Sequence, residues 1–499
     1  MKNYETLIKG AGISVVGLIF SKVISYLTTI IIAKTGSTSL GLLNLGLSIV
    51  SFIAMISLLG LSGGVLRYVS YYLGKNDKKR VRGTIISSLK LSVVIAIIAS
   101  ILTFIFSKEI ALNIFKKPEL VGVLRIFAFV IPLMVSIEIF SNIVLSFKKI
   151  VYNVFIRDIG EKVFRLLLVA IFIFLGFSLN WIVLGYVLGS LLTFILFLIV
   201  LRKKEFILFD NKIKIISNFK EILIYSLPLI LVGLLSLLQK WSDTFILGYF
   251  RSASEIGIYG IAFSTASLLA IIPTALMSLF TPVITGLYAK NKNKEIKKTS
   301  NFILKYIFTL NLPFLLILIL FPKELLSLVF GQEYLSGTST LMILGISYLL
   351  LSLTHVYSSN LLIIKKTKLL SILVFVSTLS NILLGIILVP KYGINGAAIA
   401  TLTANIIFLI SVVIYSFILI KVQPIKLYFI KSLISGFISI MIMKYIYNLL
   451  PNKLIILLIT SFIMLIIYWG LLFIFKYFNK EDFELFNIFK QKLSKMFNK

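Results

Sequence analysis

Apolar runs of about 20 residues recur along this chain almost to its end, and no other feature limits its fold so severely. Wound as an α-helix at about 1.5 Å per residue, such a run is about 30 Å long, the thickness of a bilayer's hydrocarbon core. In that solvent every backbone N–H and C=O must find a partner inside the protein, which leaves helices or closed barrels. The runs lack the apolar/polar alternation of barrel strands, so the expected fold is all-α. Runs and breaks place spans near 7–33, 40–70, 84–107, 121–146, 158–177, 180–201, 221–249, 256–286, 300–321, 336–364, 369–389, 394–420, 428–449 and 453–475, about fourteen in all. The composition agrees: 59% hydrophobic and 14% charged, where soluble domains sit near 45–50% and 25%. The first run is read as an uncleaved helix, because Lys22 interrupts its apolar core and no convincing A-x-A site follows.

A formal net charge of +32 raises the question of a nucleic-acid partner, and the location of the cations answers it. With the N-terminus inside, the segments that become cytoplasmic carry about 33 Lys and Arg and the opposite loops about 8. That asymmetry is the positive-inside pattern of a multi-pass protein of the cytoplasmic membrane with both termini in the cytoplasm. No basic segment is backed by a folded domain that would bind a duplex, so nucleic acid is excluded as a partner. Cysteine is absent, which removes disulfides and thiolate chemistry. No hydrophilic segment exceeds about 25 residues, so there is no soluble catalytic domain and the expected protein is not an enzyme.

The chain also aligns with itself. SLGLLNLGLSIVSF (39–52) lies over EIGIYGIAFSTASL (255–268), with Gly41 on Gly257, and the same shift brings Tyr72 onto Tyr288. The sixth span from Asn180 matches the twelfth from Asn395. Six helices separate the copies, so both run the same way and are related by an axis along the membrane normal, an arrangement that places substrate between the repeats near the midplane. The expected organisation is an N-terminal lobe (1–201), an inter-lobe cytoplasmic linker (202–220), a C-terminal lobe (221–420), two further spans (428–475) and an amphipathic tail (476–499) lying on anionic lipid. Pro132, Pro228, Pro273, Pro282 and Pro313 fall inside spans, where each removes a backbone hydrogen bond and favours a kink.

Ionisable residues inside spans are the candidate functional groups, since each costs about 2.5–3.5 kcal/mol at the bilayer centre unless it snorkels, pairs or meets water or a ligand. The deepest are Lys22, Glu138, Lys240, Asp243 and His355; Arg67, Lys90, Lys305 and Lys444 lie nearer the ends. Lys90 and Lys305 are repeat equivalents that either snorkel or flank a cytoplasm-facing cavity. Arg67 and Lys444 are within snorkelling reach of their span ends. Lys240 and Asp243 are three apart on one helix, read either as a neutral internal pair or as a coupling acid with its sensor. Glu138, with Asn142 one turn on, has the same two readings. Glu161 and Arg165 in EKVFR read as a structural pair at the base of the fifth span. His355 stands among Ser352, Thr354, Tyr357, Ser358, Ser359 and Asn360, and no acidic or histidine cluster offers a metal site.

Three stretches carry a resemblance: SKVISYLTTIIIAKTGSTSLGLLNLGLSIVSFIAMISLLGLSGGVLRYVSYYLGK, KWSDTFILGYFRSASEIGIYGIAFSTASLLAIIPTALMSLFTPVITGLY and PKYGINGAAIATL. Together they are similar to the polysaccharide transporters, the Wzx-type oligosaccharide flippases of the multidrug/oligosaccharidyl-lipid/polysaccharide flippase superfamily, over about residues 7–420. The resemblance implies two six-helix lobes plus two C-terminal helices, and transfer of a polyprenyl diphosphate-linked oligosaccharide from inner to outer leaflet by alternating access through a cationic cavity. It implies that Lys22 faces that cavity, with Lys90, Lys305, Lys240 and Arg67 as further cavity cations. It puts Asp243 at an acidic position near the ion site of sodium-coupled relatives. Asn381 and Thr401 stand where those relatives place further ligands, but no acid does, so coupling to a Na+ or H+ gradient is an open expectation and no cofactor is implied. Anionic lipids and polysaccharide biosynthesis enzymes are the other expected partners.

Two other readings share the superfamily. A multidrug or other small-molecule exporter would favour an acidic cavity for cationic cargo, against the excess of intramembrane lysine, and a lipid II flippase differs only in cargo. A membrane-embedded glycosyltransferase would want a large outer loop, and FPKELLSLVFGQEYLSG is short.

Overall fold

The computed structural model describes residues 2–210, 212–216, 219–421, 427–450, 454–478 and 482, with 2–11, 279 and 427 described by backbone alone. The described residues are helical throughout, with no strand. Contacts divide them into two units. One unit takes Val16–Gly260 together with Val389–Gly393. It holds α1 (Lys2–Ala33, from residue 16), α2 (Ser37–Ser57), α3 (Leu61–Gly74), α4 (Lys78–Ile105) and α5 (Leu120–Ala128). It continues through α6 (Val130–Ser146), α7 (Glu161–Phe174), α8 (Leu179–Leu201), α9 (Phe219–Phe250) and the start of α10 (Ala253–Ala266). The other unit takes Ile261–Leu388 and Ile394 onward. It holds α11 (Ile271–Ala289), α12 (Asn293–Leu320), α13 (Thr338–Ile363), most of α14 (Thr367–Ile420), α15 (Leu427–Asn448) and α16 (Leu454–Ile474).

Eleven helical segments among the described residues are long and apolar enough to cross a membrane, and the pair α5–α6, bent by 44°, makes a twelfth. Two further crossings are hidden from a test of length and hydropathy. At 54 residues α14 is about 81 Å long, more than twice the hydrocarbon core, so it crosses twice. Its turning point is Gly393, whose φ of 59° and ψ of −136° suit a residue without Cβ. The guanidinium of Arg251 donates to the carbonyls freed there, Val389 O at 2.8 and 3.0 Å and Pro390 O at 2.8 Å. The other is α7, only 14 residues long, which continues backward through a π-helical turn, Val154–Gly160, to Ile150. With these two the crossings are the fourteen that the apolar runs predict.

Of the expected kinks the 44° bend beside Pro132 is present, while Pro228, Pro282 and Pro313 lie inside continuous helices, and the protein repairs several of the hydrogen bonds that prolines remove. Pro132 cannot donate to Ala128 O, and Ser100 Oγ does so instead at 2.7 Å beside the α5–α6 bend. Pro273 frees Leu269 O, which accepts from Ser352 Oγ at 3.3 Å. Pro313 frees Thr309 O, which accepts from Tyr468 Oη at 3.0 Å. In lipid no water would fill these vacancies, so side chains from neighbouring helices do.

The repeat has a physical signature inside the first unit. A Cβ on Gly41 would lie 1.7 Å from Ala253 O, and one on Gly257 would lie 1.9 Å from Ser37 O. The shift of 216 that aligns Gly41 with Gly257 also aligns Ser37 with Ala253, so the contact is reciprocal. Reciprocal contacts between equivalent residues arise only beside a two-fold axis, and small residues there let the α2 and α10 backbones touch. Ser37 Oγ and Ser254 Oγ share a hydrogen bond of 2.7 Å at the same crossing.

The linker after α8 packs back on its own unit: Arg82 Nη1 donates to Ile213 O at 2.5 Å and Nε to Leu208 O at 3.4 Å. Of the tail read as a surface helix, all but residues 476–478 and 482 lie outside the described residues.

Candidate functional site

Three helices of the first unit bring cations to one depth. Lys22 on α1, Lys162 and Arg165 on α7 and Lys240 on α9 lie 9 to 12 residues before the helix ends Ala33, Phe174 and Phe250, about 14–18 Å. Those helices belong to the first, fifth and seventh crossings, which run the same way, so the three ends share one side and the four cations form a layer about half a bilayer deep. Lys22, Lys162 and Arg165 are the cations close enough to act on the Lys240 ammonium, with Glu161 the carboxylate among them.

The four are held differently. Glu161 Oε1 accepts from Arg165 Nη2 at 2.6 Å and from Lys162 Nζ at 3.2 Å. Arg165 also stacks over Tyr186, 4.4 Å from its centroid, and keeps its buried Nε without a partner. Lys240 lies over Trp241 at 4.9 Å. Among the described residues neither Lys22 nor Lys240 has an acid partner. Both lysines are exposed. On the π turn just before α7, Arg157 pairs with Glu138 and donates to Ser141 Oγ at 3.0 Å, while Asp158 lies near Lys162 and Arg157. Five cations (22, 157, 162, 165, 240) against three carboxylates (138, 158, 161) leave two positive charges, and the two unpaired lysines carry them. π turns are enriched at functional sites because they re-aim side chains within a continuous helix.

The other sequence candidates go elsewhere. Lys240 and Asp243 do not pair: Asp243, 8% exposed, accepts from Tyr259 Oη at 2.5 Å, while Lys240 is exposed and lies over Trp241. Glu138 is held by Arg157 and by Asn142 Nδ2 at 3.2 Å, so it is the partner in a half-buried ion pair. The equivalence of Lys90 and Lys305 in sequence is not an equivalence in role. Lys305, 4% exposed, is closed off by Asp482 Oδ2 at 2.5 Å and Tyr477 O at 2.9 Å, with the Tyr477 ring 4.2 Å away. Such a capped ammonium does not flank an open cavity. Lys90 is exposed on the α4 face that continues through the exposed apolar residues Val94, Ile97, Ile98 and Ile101. Arg67 stacks 4.2 Å over Tyr225 at the other end of the helices. In the second unit, His355 is half-buried, and Asn381 Nδ2 donates to Thr401 Oγ1 at 3.1 Å.

Sequence reasoning did not single out Lys162 and read Arg165 only as the structural partner of Glu161, a pair the structure keeps. The polar stretch VFIRDIG lowered the hydropathy ahead of them, so they looked like the cytoplasmic base of the fifth span. The correction is that the helix begins at Ile150, eight residues before the expected start at 158.

With this geometry in hand, comparison with known proteins is informative. The sequence model described as "Polysaccharide biosynthesis protein" matches residues 7–288, more than half of the chain. The chain belongs to the polysaccharide biosynthesis protein family. A second model, described as MatE, matches residues 228–387. An uncharacterized membrane protein of Methanocaldococcus jannaschii is 22% identical over 485 residues, 94% of this chain and 95% of that protein. A Haloferax volcanii protein named "Probable low-salt glycan biosynthesis flippase Agl15" is 24% identical over 185 residues, 37% of this chain and 39% of that one. Among solved structures, the lipid II flippase MurJ in an inward closed conformation superposes with a TM-score of 0.74 at 19% identity, covering 92% of this chain and 98% of that one. That likeness gives the family member its fold, a multi-span transporter fold. The family is one of membrane transporters in polysaccharide biosynthesis.

Proposed function

We propose that the protein is a flippase for a lipid-linked oligosaccharide, carrying a polyprenyl diphosphate-bound glycan from the inner to the outer leaflet by alternating access. The observation that carries this reading is the net-positive layer at mid-depth, with Lys22 and Lys240 unpaired. Each such ammonium is costly in a bilayer unless it meets water or an anion, and a diphosphate crossing the same region needs fixed positive charge along its path. The polyprenyl tail has no such need and stays in lipid. On this reading both termini are cytoplasmic, in the cytoplasmic membrane, and Asp243 with Tyr259 is the acid that couples transport to a Na+ or H+ gradient.

The MatE match favours a second reading, export of small molecules. A cationic drug would meet Lys240 and the three positive side chains around it, which disfavours it. The test of both is reconstitution with labelled lipid-linked oligosaccharides and, in parallel, a cationic dye. Expected are glycan transfer without dye efflux, and at least a tenfold loss of transfer in Lys22→Ala and in Asp243→Ala with insertion preserved. Unchanged transfer by Lys22→Ala removes the cationic layer from the route. Full activity of Asp243→Ala under every imposed gradient removes the coupling role.

A further inference from the structure

At the end of the first unit opposite Ala33 and Phe250, four tyrosines cluster from two helices. Tyr68, Tyr71 and Tyr72 come from the last turns of α3, and Tyr225 from the second turn of α9. Tyr68 meets Tyr225 edge-on at 5.8 Å and Tyr72 at 6.1 Å, and Tyr71 meets Tyr72 at 5.3 Å. The guanidinium of Arg67 lies 4.2 Å over Tyr225 and 6.0 Å from the Tyr68 centroid. Glu221 Oε2 accepts from Tyr72 Oη at 3.4 Å. Tyr71 is half exposed and Arg67 is exposed, and among the described residues Arg67 has no carboxylate partner.

We infer that this platform is a carbohydrate subsite, holding a sugar ring of the transported glycan. The chemistry differs from that of the layer at Lys240. Lys75 lies 4.5 Å over the Tyr71 ring and Arg80, paired with Asp77, lies 5.7 Å over Tyr72, so with Arg67 and Glu221 the platform carries one net positive charge, against two at the layer. What it offers is aromatic surface beside tyrosine hydroxyls, a carboxylate and a planar guanidinium fixed by stacking. A pyranose presents the complement: an apolar C–H face and a rim of hydroxyls that both donate and accept. Interfacial tyrosines of an aromatic belt also sit at this level, but a belt needs neither ring-on-ring packing across two helices nor a stacked arginine. Tyr225 is fifteen residues before Lys240 on the same helix, about 22 Å, a span that a short glycan bridges from a diphosphate held at the layer. The inference deepens the flippase reading and rests on it for the identity of the sugar's carrier.

The experiment uses the full chain in detergent and three probes for each of glucose, galactose, mannose and N-acetylglucosamine: the farnesyl diphosphate-linked sugar, its methyl glycoside, and bare farnesyl diphosphate. Calorimetry gives affinities, and saturation-transfer NMR shows which ligand protons touch protein. Expected for at least one sugar are saturation of its ring protons and at least tenfold tighter binding than bare farnesyl diphosphate. Tyr71→Ala and Tyr225→Leu should erase that advantage while binding of bare farnesyl diphosphate stays unchanged. Phe129→Ala, which removes an exposed ring elsewhere in the unit, should change nothing. The inference is overturned if no sugar confers an advantage, if the tyrosine variants weaken both diphosphates equally, or if Phe129→Ala acts as they do. Methyl glycoside binding that is lost in Tyr225→Leu supports the subsite even if bare farnesyl diphosphate fails to bind, an outcome that would sink the flippase reading alone.

Discussion

Lys240→Gln separates a binding charge from a structural one. Among the described residues Lys240 makes no ion pair and stands among Lys22, Lys162 and Arg165, offset by Glu161. Coulomb repulsion from these like-charge neighbours, offset by the carboxylate and screened by solvent at an exposed side chain, nets to about 1 kcal/mol. Removing the charge therefore leaves the empty protein as stable as before or slightly more so. The bound diphosphate, by contrast, loses one of two uncompensated cations, about 2 kcal/mol, which weakens binding about 30-fold. The assay is calorimetry with farnesyl diphosphate at low and high salt, alongside thermal unfolding of the empty protein. Expected are a Kd raised about 30-fold with a smaller salt dependence, and an unfolding midpoint that does not fall. A Kd within threefold of the parent would refute the assignment, and so would a loss of stability beyond about 1 kcal/mol, since the lysine would then be holding the fold together.

Two further outcomes concern stability. Asp482→Asn strands the buried Lys305 ammonium and should cost about 3–5 kcal/mol, most of it recovered in the Lys305→Met, Asp482→Asn double variant; thermal unfolding that shifts by less than about 1 kcal/mol equivalent would contradict the pairing. Ser100→Ala leaves Ala128 O without a donor and should cost about 1–2 kcal/mol. In a Pro132→Ala background the restored N–H should serve that carbonyl, so strictly additive costs in the cycle would show that Ser100 does not act on the proline's vacancy.

The sequence was most legible where a single length scale governs. Span length fixed the helices, and the glycine register foresaw the repeat because a position beside an axis admits only small residues in both copies. It was least legible where a side chain's fate depends on a distant partner. Lys305 looks like Lys90 until Asp482, beyond the last span, closes over it. Lys240 and Asp243 share a helix face by spacing, yet Tyr259 takes the acid and the lysine lies over Trp241. The depth of Lys162 and Arg165 was hidden by a π turn, which lets polar residues continue a helix that hydropathy appears to end.

The meeting of Gly41 with Gly257 has a consequence for how such a chain diverges. After an ancestral duplication most positions drift apart freely, since each copy acquires neighbours of its own. A residue that touches its own counterpart does not: a side chain gained in either copy intrudes on the other, and neither change can compensate for its twin. The junction of α2 and α10 is thus the place where the memory of a symmetric ancestor is hardest to erase, and homologous sequences should retain small residues there long after the lobes have become strangers elsewhere.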